Sequence, residues 1–290
     1  MNYLIHILIF LQIYIILAFS LNIKTGYGGM FSLCQAVFYG TGAYVTAILL
    51  LNGFNFIFAL VIAILINVLF NGIVVFYLAK RLRELYFTLA TLAFQIIFYG
   101  IIYNWIKLTN GPYGITGIPK PIICNIEFSS PISFLLISTF FVLLTIIFFY
   151  FFHKTYLSKM IEATRDDEIW VNSLGKNPNR YKFVSIALSV IFATISGALY
   201  ASYISYIDPS SFTINESILI LTMVLIGGSG NIYGPITGAA IYILLPEFLR
   251  FLNFPDHLAA NFQMILYALI LLLIIRFKPS GLFGKFEFKS

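Results

Sequence analysis

Few residues in this chain have the types and spacing that chemistry requires. The three histidines, His6, His153 and His257, fall in separate regions near the ends of apolar segments and share no ligand spacing, so each is expected at an interface or in solvent. The two cysteines, Cys34 and Cys124, lie far apart; Cys34 sits in an apolar stretch, where a small buried thiol is the expectation. The run Gly227-Gly228-Ser229-Gly230 is rich in glycine, but no lysine follows it and no strand–turn–helix unit surrounds it. It is therefore not a nucleotide-binding loop. No catalytic residue, metal site or cofactor is expected. If ATP powers this protein, another subunit hydrolyses it.

Acids inside an apolar span mark ion or proton pathways, because charge is expensive in lipid. Glu216 and Glu247 are the acids that fall within or at the edge of an apolar run. Glu247 precedes Arg250 by three residues, which suits a pair on one helix face. Glu216 falls near the start of an apolar segment, where the helix dipole favours an acid. Capping and local pairing are the expectation for both, which argues against an ion-coupled secondary carrier. The stretch from His153 to Lys182 differs in kind. It mixes Glu162, Ala163, Arg165, Asp166, Asp167 and Glu168 with apolar Ile161, Ile169, Trp170, Val171 and Leu174 before Gly175. This reads as a short amphipathic helix up to Leu174 with Gly175 as its stop. Such a helix suits a groove on another protein, with Trp170 as the anchor.

The elements that position these residues follow from composition. Hydrophobic residues make up 60% of the 290, charged residues 10%, and the mean hydropathy is +0.95. Soluble domains carry about a quarter charged residues, so lipid must be the solvent here. The net charge of +6 is not gathered on a polar domain, which excludes a nucleic-acid binder. Apolar runs near 3–23, 30–51, 55–79, 85–106, 131–152, 183–206, 213–228, 232–250 and 259–277 predict an all-α integral membrane protein with about nine transmembrane helices, in a range of about 8–10. The N-terminal stretch lacks a basic flank and a cleavage site and reads as a retained first helix. The second and seventh runs carry glycine clusters and are the ones expected to be broken or re-entrant.

With the N-terminus outside, all 17 basic residues except Lys107, Lys120 and Arg250 fall in cytoplasmic segments, Lys24 among them. The C-terminus is then cytoplasmic, in the plasma (inner) membrane of a multi-pass protein. The chain reads as one permease domain over 1–290, with the polar loop at about 153–182. The outer loop from Lys107 to Ser130 is turn-forming, with Asn110, Gly111, Gly114 and Gly117 among Pro112 and Pro119.

Several segments together resemble one family. Leu21-Asn22 with Gly26-Tyr27-Gly28-Gly29 and Gly42-Ala43-Tyr44 is one; Tyr86-Phe87-Thr88-Leu89-Ala90-Thr91 through Asn110-Gly111-Pro112 to Pro119 is another. Arg165-Asp166-Asp167-Glu168 through Gly175, and Ser196-Gly197-Ala198-Leu199-Tyr200, form a third. Gly227-Gly228-Ser229-Gly230 with Tyr233-Gly234-Pro235, and the closing Phe277-Lys278-Pro279-Ser280-Gly281-Leu282-Phe283-Gly284, complete the set. In this order they resemble the branched-chain amino acid permeases of the LivM type. The resemblance implies the membrane subunit of an ATP-binding-cassette importer for Leu, Ile and Val. Its implied partners are a second, H-type permease, two cytoplasmic ATPases and a periplasmic or lipid-anchored amino-acid-binding protein. It assigns the polar loop as the ATPase-docking helix, with Glu162-Ala163 and Gly175 matching the family loop and Thr164 standing where a second Ala is expected. The outer loop would face the binding protein.

A zwitterion in such a path needs hydroxyl and backbone partners rather than fixed charge. Asn67, Thr88, Thr91 and Gln95 inside spans, with Gly227, Gly228 and Gly230, are the candidates. A permease for urea or short amides is the alternative within the same architecture.

Overall fold

The computed structural model describes residues 2–82, 84–123, 126–128, 130–251, 256–278 and 280–284. Arg83, Cys124, Pro279, Lys285 and Lys289, with the side chains of Arg250 and His257, lie outside the described residues.

Helix α1 (Asn2–Asn22) continues into a π-helical turn, Ile23–Tyr27, and the chain then runs unwound to α2 (Gln35–Leu51). Next come α3 (Phe56–Asn67), a second π-turn (Val68–Gly72) and α4 (Ile73–Arg81), which together make one continuous span. Helix α5 (Glu84–Asn104) leads into a short α6 (Ile106–Thr109) and an irregular loop holding β1 (Ile115–Thr116), β2 (Ile122–Ile123) and β3 (Ile126–Glu127). The long α7 (Pro131–Phe152) is followed by two short helices, α8 (Tyr156–Asp166) and α9 (Glu168–Ser173), and by the 27-residue α10 (Pro178–Ile204). After β4 (Tyr206–Ile207) come α11 (Ile214–Gly227), α12 (Tyr233–Phe251) and α13 (Asp256–Phe277).

Local sequence explains the starts. Ser130, Thr155 and Asn177 each accept a hydrogen bond from a first-turn amide of α7, α8 and α10, and Pro131 and Pro178 occupy the first helical turns. Among the described residues, five helical stretches are long and apolar enough to cross a membrane on their own: Tyr3–Tyr27, Phe56–Arg81, Leu85–Asn104, Pro131–Phe152 and Pro178–Ile204. The expected second and seventh spans are shorter, 17 residues in α2 and 14 in α11. Both begin inside the bundle rather than at its edge.

Helix α10 is the hub. Ser185, Ser189, Ala193, Gly197 and Ala201 recur every fourth position and all are buried, so one face of α10 is small along most of its length. Helices α1 and α2 lie against that face. At the crossing with α2, a Cβ added to Gly197 would stand 2.1 Å from the Tyr39 carbonyl oxygen and 2.8 Å from the Ala43 amide. Without hydrophobic force between apolar helices in lipid, such close backbone contact is what holds them. Polar cross-links supplement it. Ser196 donates to the Ile13 carbonyl at 3.0 Å, and Asn67, just before the second π-turn, donates at 2.7 Å to both the Phe38 carbonyl and Thr194 Oγ1.

The outward sides of α3, α5 and α7 carry exposed Val61, Leu65, Leu89, Ile97, Leu136, Phe140 and Leu143. This is the pattern of a multi-pass membrane protein, where exposed apolar side chains meet acyl chains or a neighbouring membrane subunit.

The crossing makes a direct prediction. Gly197→Val should cost about 3 kcal/mol or more, because a backbone cannot yield as a side-chain tip does. Gly100, around which a Cβ would meet nothing within 4 Å, should accept Ala without loss. Fluorescence-detected size exclusion with a melting series in detergent separates the two variants.

Candidate functional site

The centre of the molecule is where helices begin inside the bundle. Residues 28–34 are unwound, so their backbone groups need partners from elsewhere. One face of α5 supplies them at positions 88, 91 and 95. Thr88 donates to the Phe31 carbonyl at 3.2 Å, and Thr91 Oγ1 accepts from the Leu33 amide at 3.1 Å. Gln95 donates to the Phe212 carbonyl at 2.8 Å and accepts from Ser217 Oγ at 3.1 Å. Ser217 in turn accepts the Ala36 amide at 2.9 Å, tying the start of α11 to the start of α2. Thr88 and Thr91 thus bond the broken backbone itself, Gln95 bonds the start of α11, and Asn67 bonds α2 and α10. Thr91, Gln95 and Asn67 are fully buried and Thr88 is half-buried.

Two ionisable groups lie here that reading the sequence placed elsewhere. Lys24 was expected in a cytoplasmic segment; it is fully buried in the π-turn that extends α1. Its ammonium donates to Gln35 Oε1 at 3.0 Å and stands 4.6 Å from the centroid of the Phe38 ring. Gln35 passes the network to Ser20 at 2.6 Å and Ser189 at 3.4 Å. Glu216 was expected as a cap near a membrane surface. It does lie in the first turn of α11, but its carboxylate accepts from Tyr14 at 2.7 Å, and Tyr14 falls near the middle of the Tyr3–Tyr27 span. Neither carries a clear signal in the sequence, since Lys24 is followed by Thr25 and Gly26 and Glu216 is flanked by Asn215 and Ser217. Glu247, expected beside Arg250, accepts from the Tyr3 hydroxyl.

At one face of the bundle the Gly227–Gly230 break closes against α1. Asn22 Oδ1 accepts the Gly230 amide at 2.9 Å while its Nδ2 donates to the Asn231 carbonyl at 3.0 Å. A Cβ on Gly26 would stand 2.4 Å from the Gly230 nitrogen, so the two backbones touch. Gly228, at φ +104°, has a conformation open to glycine alone, and the C-terminal segment packs on it. Leu282 and Phe283 donate their amides to the Ile226 and Gly227 carbonyls at 3.0 and 2.9 Å.

The polar loop reaches the same place. Its expected single helix is two, because Asp167 adopts an extended conformation (φ −158°) and caps α9 by accepting from the Ile169 and Trp170 amides. Arg165 Nη1 donates to the Gly26 carbonyl at 2.8 Å, and its guanidinium also pairs with Asp166 at 2.8 Å. Glu168 pairs with Lys182 of α10 at 2.6 Å. Glu162 and Ala163 lie on α8, and Thr164 is buried with its hydroxyl turned to the Met160 carbonyl at 2.7 Å. Ile169, Trp170 and Leu174 are left exposed, and Gly175 ends the loop at φ +71°. The polar loop and residues 280–284 therefore share one face of the membrane bundle.

On the opposite face, Asn110 (φ +60°), Gly111, Gly114 and Gly117 form a chain of left-handed turns, with Asn110 Nδ2 donating to the Gly114 carbonyl at 2.9 Å. Strand β1 pairs antiparallel with β4, so the loop is fastened beside the end of α10. Lys120 donates to the Tyr203 carbonyl at 2.6 Å, and partial burial lowers its pKa from the usual lysine value. His6 bonds Tyr203 at 2.7 Å, and His153 contacts Tyr27 at 3.4 Å. Cys34 is buried, 3.2 Å from Ser32 Oγ. Among the described residues no group of three His, Cys, Asp or Glu could hold a metal ion.

A bundle with helices that begin at mid-depth, polar groups gathered at the breaks and an exposed polar loop on one face has the form of a membrane transport subunit. The chain belongs to the family described as the permease component of branched-chain amino acid transport systems, whose model matches residues 3–275. It is 31% identical over 93% of its length to the high-affinity branched-chain amino acid transport system permease protein LivM of Escherichia coli (strain K12), covering 68% of that protein. A probable branched-chain amino acid transport permease protein LivM of Methanocaldococcus jannaschii is 25% identical over 95% of this chain and 92% of its own. The autoinducer 2 import system permease protein LsrC of Yersinia enterocolitica is 28% identical over 81% of this chain and 62% of its own. No solved structure matches.

The Arg165–Gly26 bond predicts a local effect. Arg165→Ala should remove a charge-assisted hydrogen bond worth about 1.5–3 kcal/mol and so speed amide exchange in α8 and at Gly26–Met30 by about tenfold or more, with α7 unchanged. Hydrogen exchange read by mass spectrometry checks it.

Proposed function

We propose that the chain is one of the two permeases of an ATP-driven importer that moves Leu, Ile and Val across the plasma (inner) membrane, with ATP hydrolysed by separate cytoplasmic subunits. The observation that carries this reading is the polar loop. Ile169 and Trp170 are 76% and 55% exposed on α9, an apolar pair on a helix too short to be stable alone. The loop is held in place by Arg165 on Gly26 and Glu168 on Lys182, and it offers its apolar side away from the bundle. That is the form of a surface prepared for a partner. Glu162, Ala163, Arg165, Asp166, Asp167, Glu168, Trp170 and Gly175 belong to the docking loop in this reading. The loop face and the C-terminus are then cytoplasmic, and the whole of 1–290 is one transmembrane domain.

The remaining assignments rest on placement and on the family. Thr88 and Thr91 bond the unwound segment, Gln95 and Asn67 bond the helices beside it, and Gly227, Gly228 and Gly230 form the break beneath it, which supports a substrate path between them. Asn110, Gly111, Gly114 and Gly117 shape the rigid turns of the outer loop, a surface for an external amino-acid-binding protein. A second, H-type permease would cover part of the apolar flank.

The test is uptake by energised cells with the chain deleted, restored, or restored as Trp170→Asp. Loss of an interface anchor costs about 2 kcal/mol or more, so Trp170→Asp should lower Leu, Ile and Val uptake at least about 30-fold while the protein stays in the membrane. Intact branched-chain uptake in the deletion, with urea, short-amide or sugar uptake lost instead, replaces the substrate. Uptake that survives ATP depletion under a held ion gradient refutes the importer.

A further inference from the structure

Glu216 is a carboxylate at the mid-depth of the bundle, and its surroundings are unusual for a structural acid. Tyr14 supplies its one hydrogen bond among the described residues, at 2.7 Å, and neither ion pair found among them involves it. A carboxylate can accept about four hydrogen bonds, so most of its capacity is unused. Tyrosines are its neighbours: Tyr14 of α1 touches it, Tyr242 of α12 lies beside Tyr14, and Tyr39 of α2, next to Tyr200 of α10, stands one turn beyond Ala36, whose amide Ser217 accepts. Their rings fall into two groups, one on α2 and α10 and one on α1 and α12. Tyr39 lies 5.4 Å from Tyr200 and 5.2 Å from Phe212, Tyr14 lies 5.7 Å from Tyr242, and Tyr242 lies 5.0 Å from Tyr267.

A second observation is independent of the carboxylate. Tyr39 is 1% exposed, yet its hydroxyl has no hydrogen-bond partner among the described residues. A buried hydroxyl left unpaired costs free energy, and proteins keep few of them without a use. Glu216, Tyr14, Tyr200 and Tyr242 are each half-buried.

An acid with aromatic faces beside it is the recognition chemistry of an organic ammonium: charge and acceptors from the carboxylate, π faces around the C–H and N–H groups. We propose that Glu216, with Tyr14, Tyr39, Tyr200 and Tyr242, forms a mid-membrane station for the primary ammonium group of the transported solute. The station rests on the transport reading above and narrows it: a solute without an ammonium, such as urea or a sugar, gains nothing there. Helices α2 and α11 both start beside it, joined through Ser217, and present the positive ends of their dipoles. That polarity suits the carboxylate at the other end of an amino acid.

Two measurements decide it. In proteoliposomes holding the complete transport system, Glu216→Gln should lower labelled leucine import at least about tenfold while ATP turnover continues, Glu216→Asp should restore part of it, and Tyr39→Phe should lower it about threefold. In the purified full-length chain, 3-methylbutylamine, which has leucine's side chain and ammonium without its carboxylate, should raise the melting temperature of the wild type and leave Glu216→Gln unmoved. Import by Glu216→Gln at the wild-type rate, or equal protection of both chains by the amine, overturns the station. A complete system that never imports leucine refutes the transport reading alone, because the amine's effect on the single chain still decides the station.

Discussion

The close crossing of α2 and α10 is the constraint from which the rest of the architecture follows. Gly197 lets the two backbones come within reach of Tyr39 and Ala43, and the small face of α10 from Ser185 to Ala201 lets α1 settle beside them. Once α2 is held at that height, the seven residues from Gly28 to Cys34 must bridge the end of α1 to its start, and they cannot do so as helix. Unwound backbone at membrane depth survives only where protein groups satisfy it. That requirement accounts for the hydroxyls and amide on one face of α5, and for Ser217, whose oxygen takes the Ala36 amide. The polar residues of the core are placed by the break, and the break is placed by a glycine.

The same break connects the two ends of the proposed transport route. Arg165 reaches from α8 to the Gly26 carbonyl, Gly26 abuts Gly230, and Gly230 is bonded to Asn22. From there α11 rises to Glu216, which meets α1 again at Tyr14. Each link joins backbone to a short or planar group, with little slack for a side chain to take up.

Much of this was legible in the sequence. The apolar runs located every long helix, because a spanning segment announces itself by length and hydropathy alone. The glycine clusters marked where helices break, and Ile169 and Trp170 stood out within the polar loop. The lone charges resisted such reading. Lys24 was counted with the cytoplasmic cations since a lysine next to glycines looks like a loop residue; its burial depends on Gln35, Ser20 and Ser189, which converge from three helices. Glu216 looked like a cap because it is in the first turn of a helix, and it is. What sequence could not convey is that this helix starts beside the middle of α1, a position set by the packing of α11 against α1 and α2. The polar loop split for a similarly local reason: the Asp167 side chain competes successfully for the amides that would have continued α8.

Burying a lysine and a glutamate without pairing them is an arrangement that stability alone would not favour, since two such groups in one bundle could be replaced by apolar ones or brought together. They are instead kept apart, Lys24 with an amide and a phenyl ring at the turn above Gly26, Glu216 with phenols at mid-depth. Positive and negative charge separated along α1 create a polar axis inside an apolar bundle. The acid beside Tyr14 and the two helix starts joined through Ser217 lie together, where packing rather than an opposite charge holds the carboxylate in the bundle.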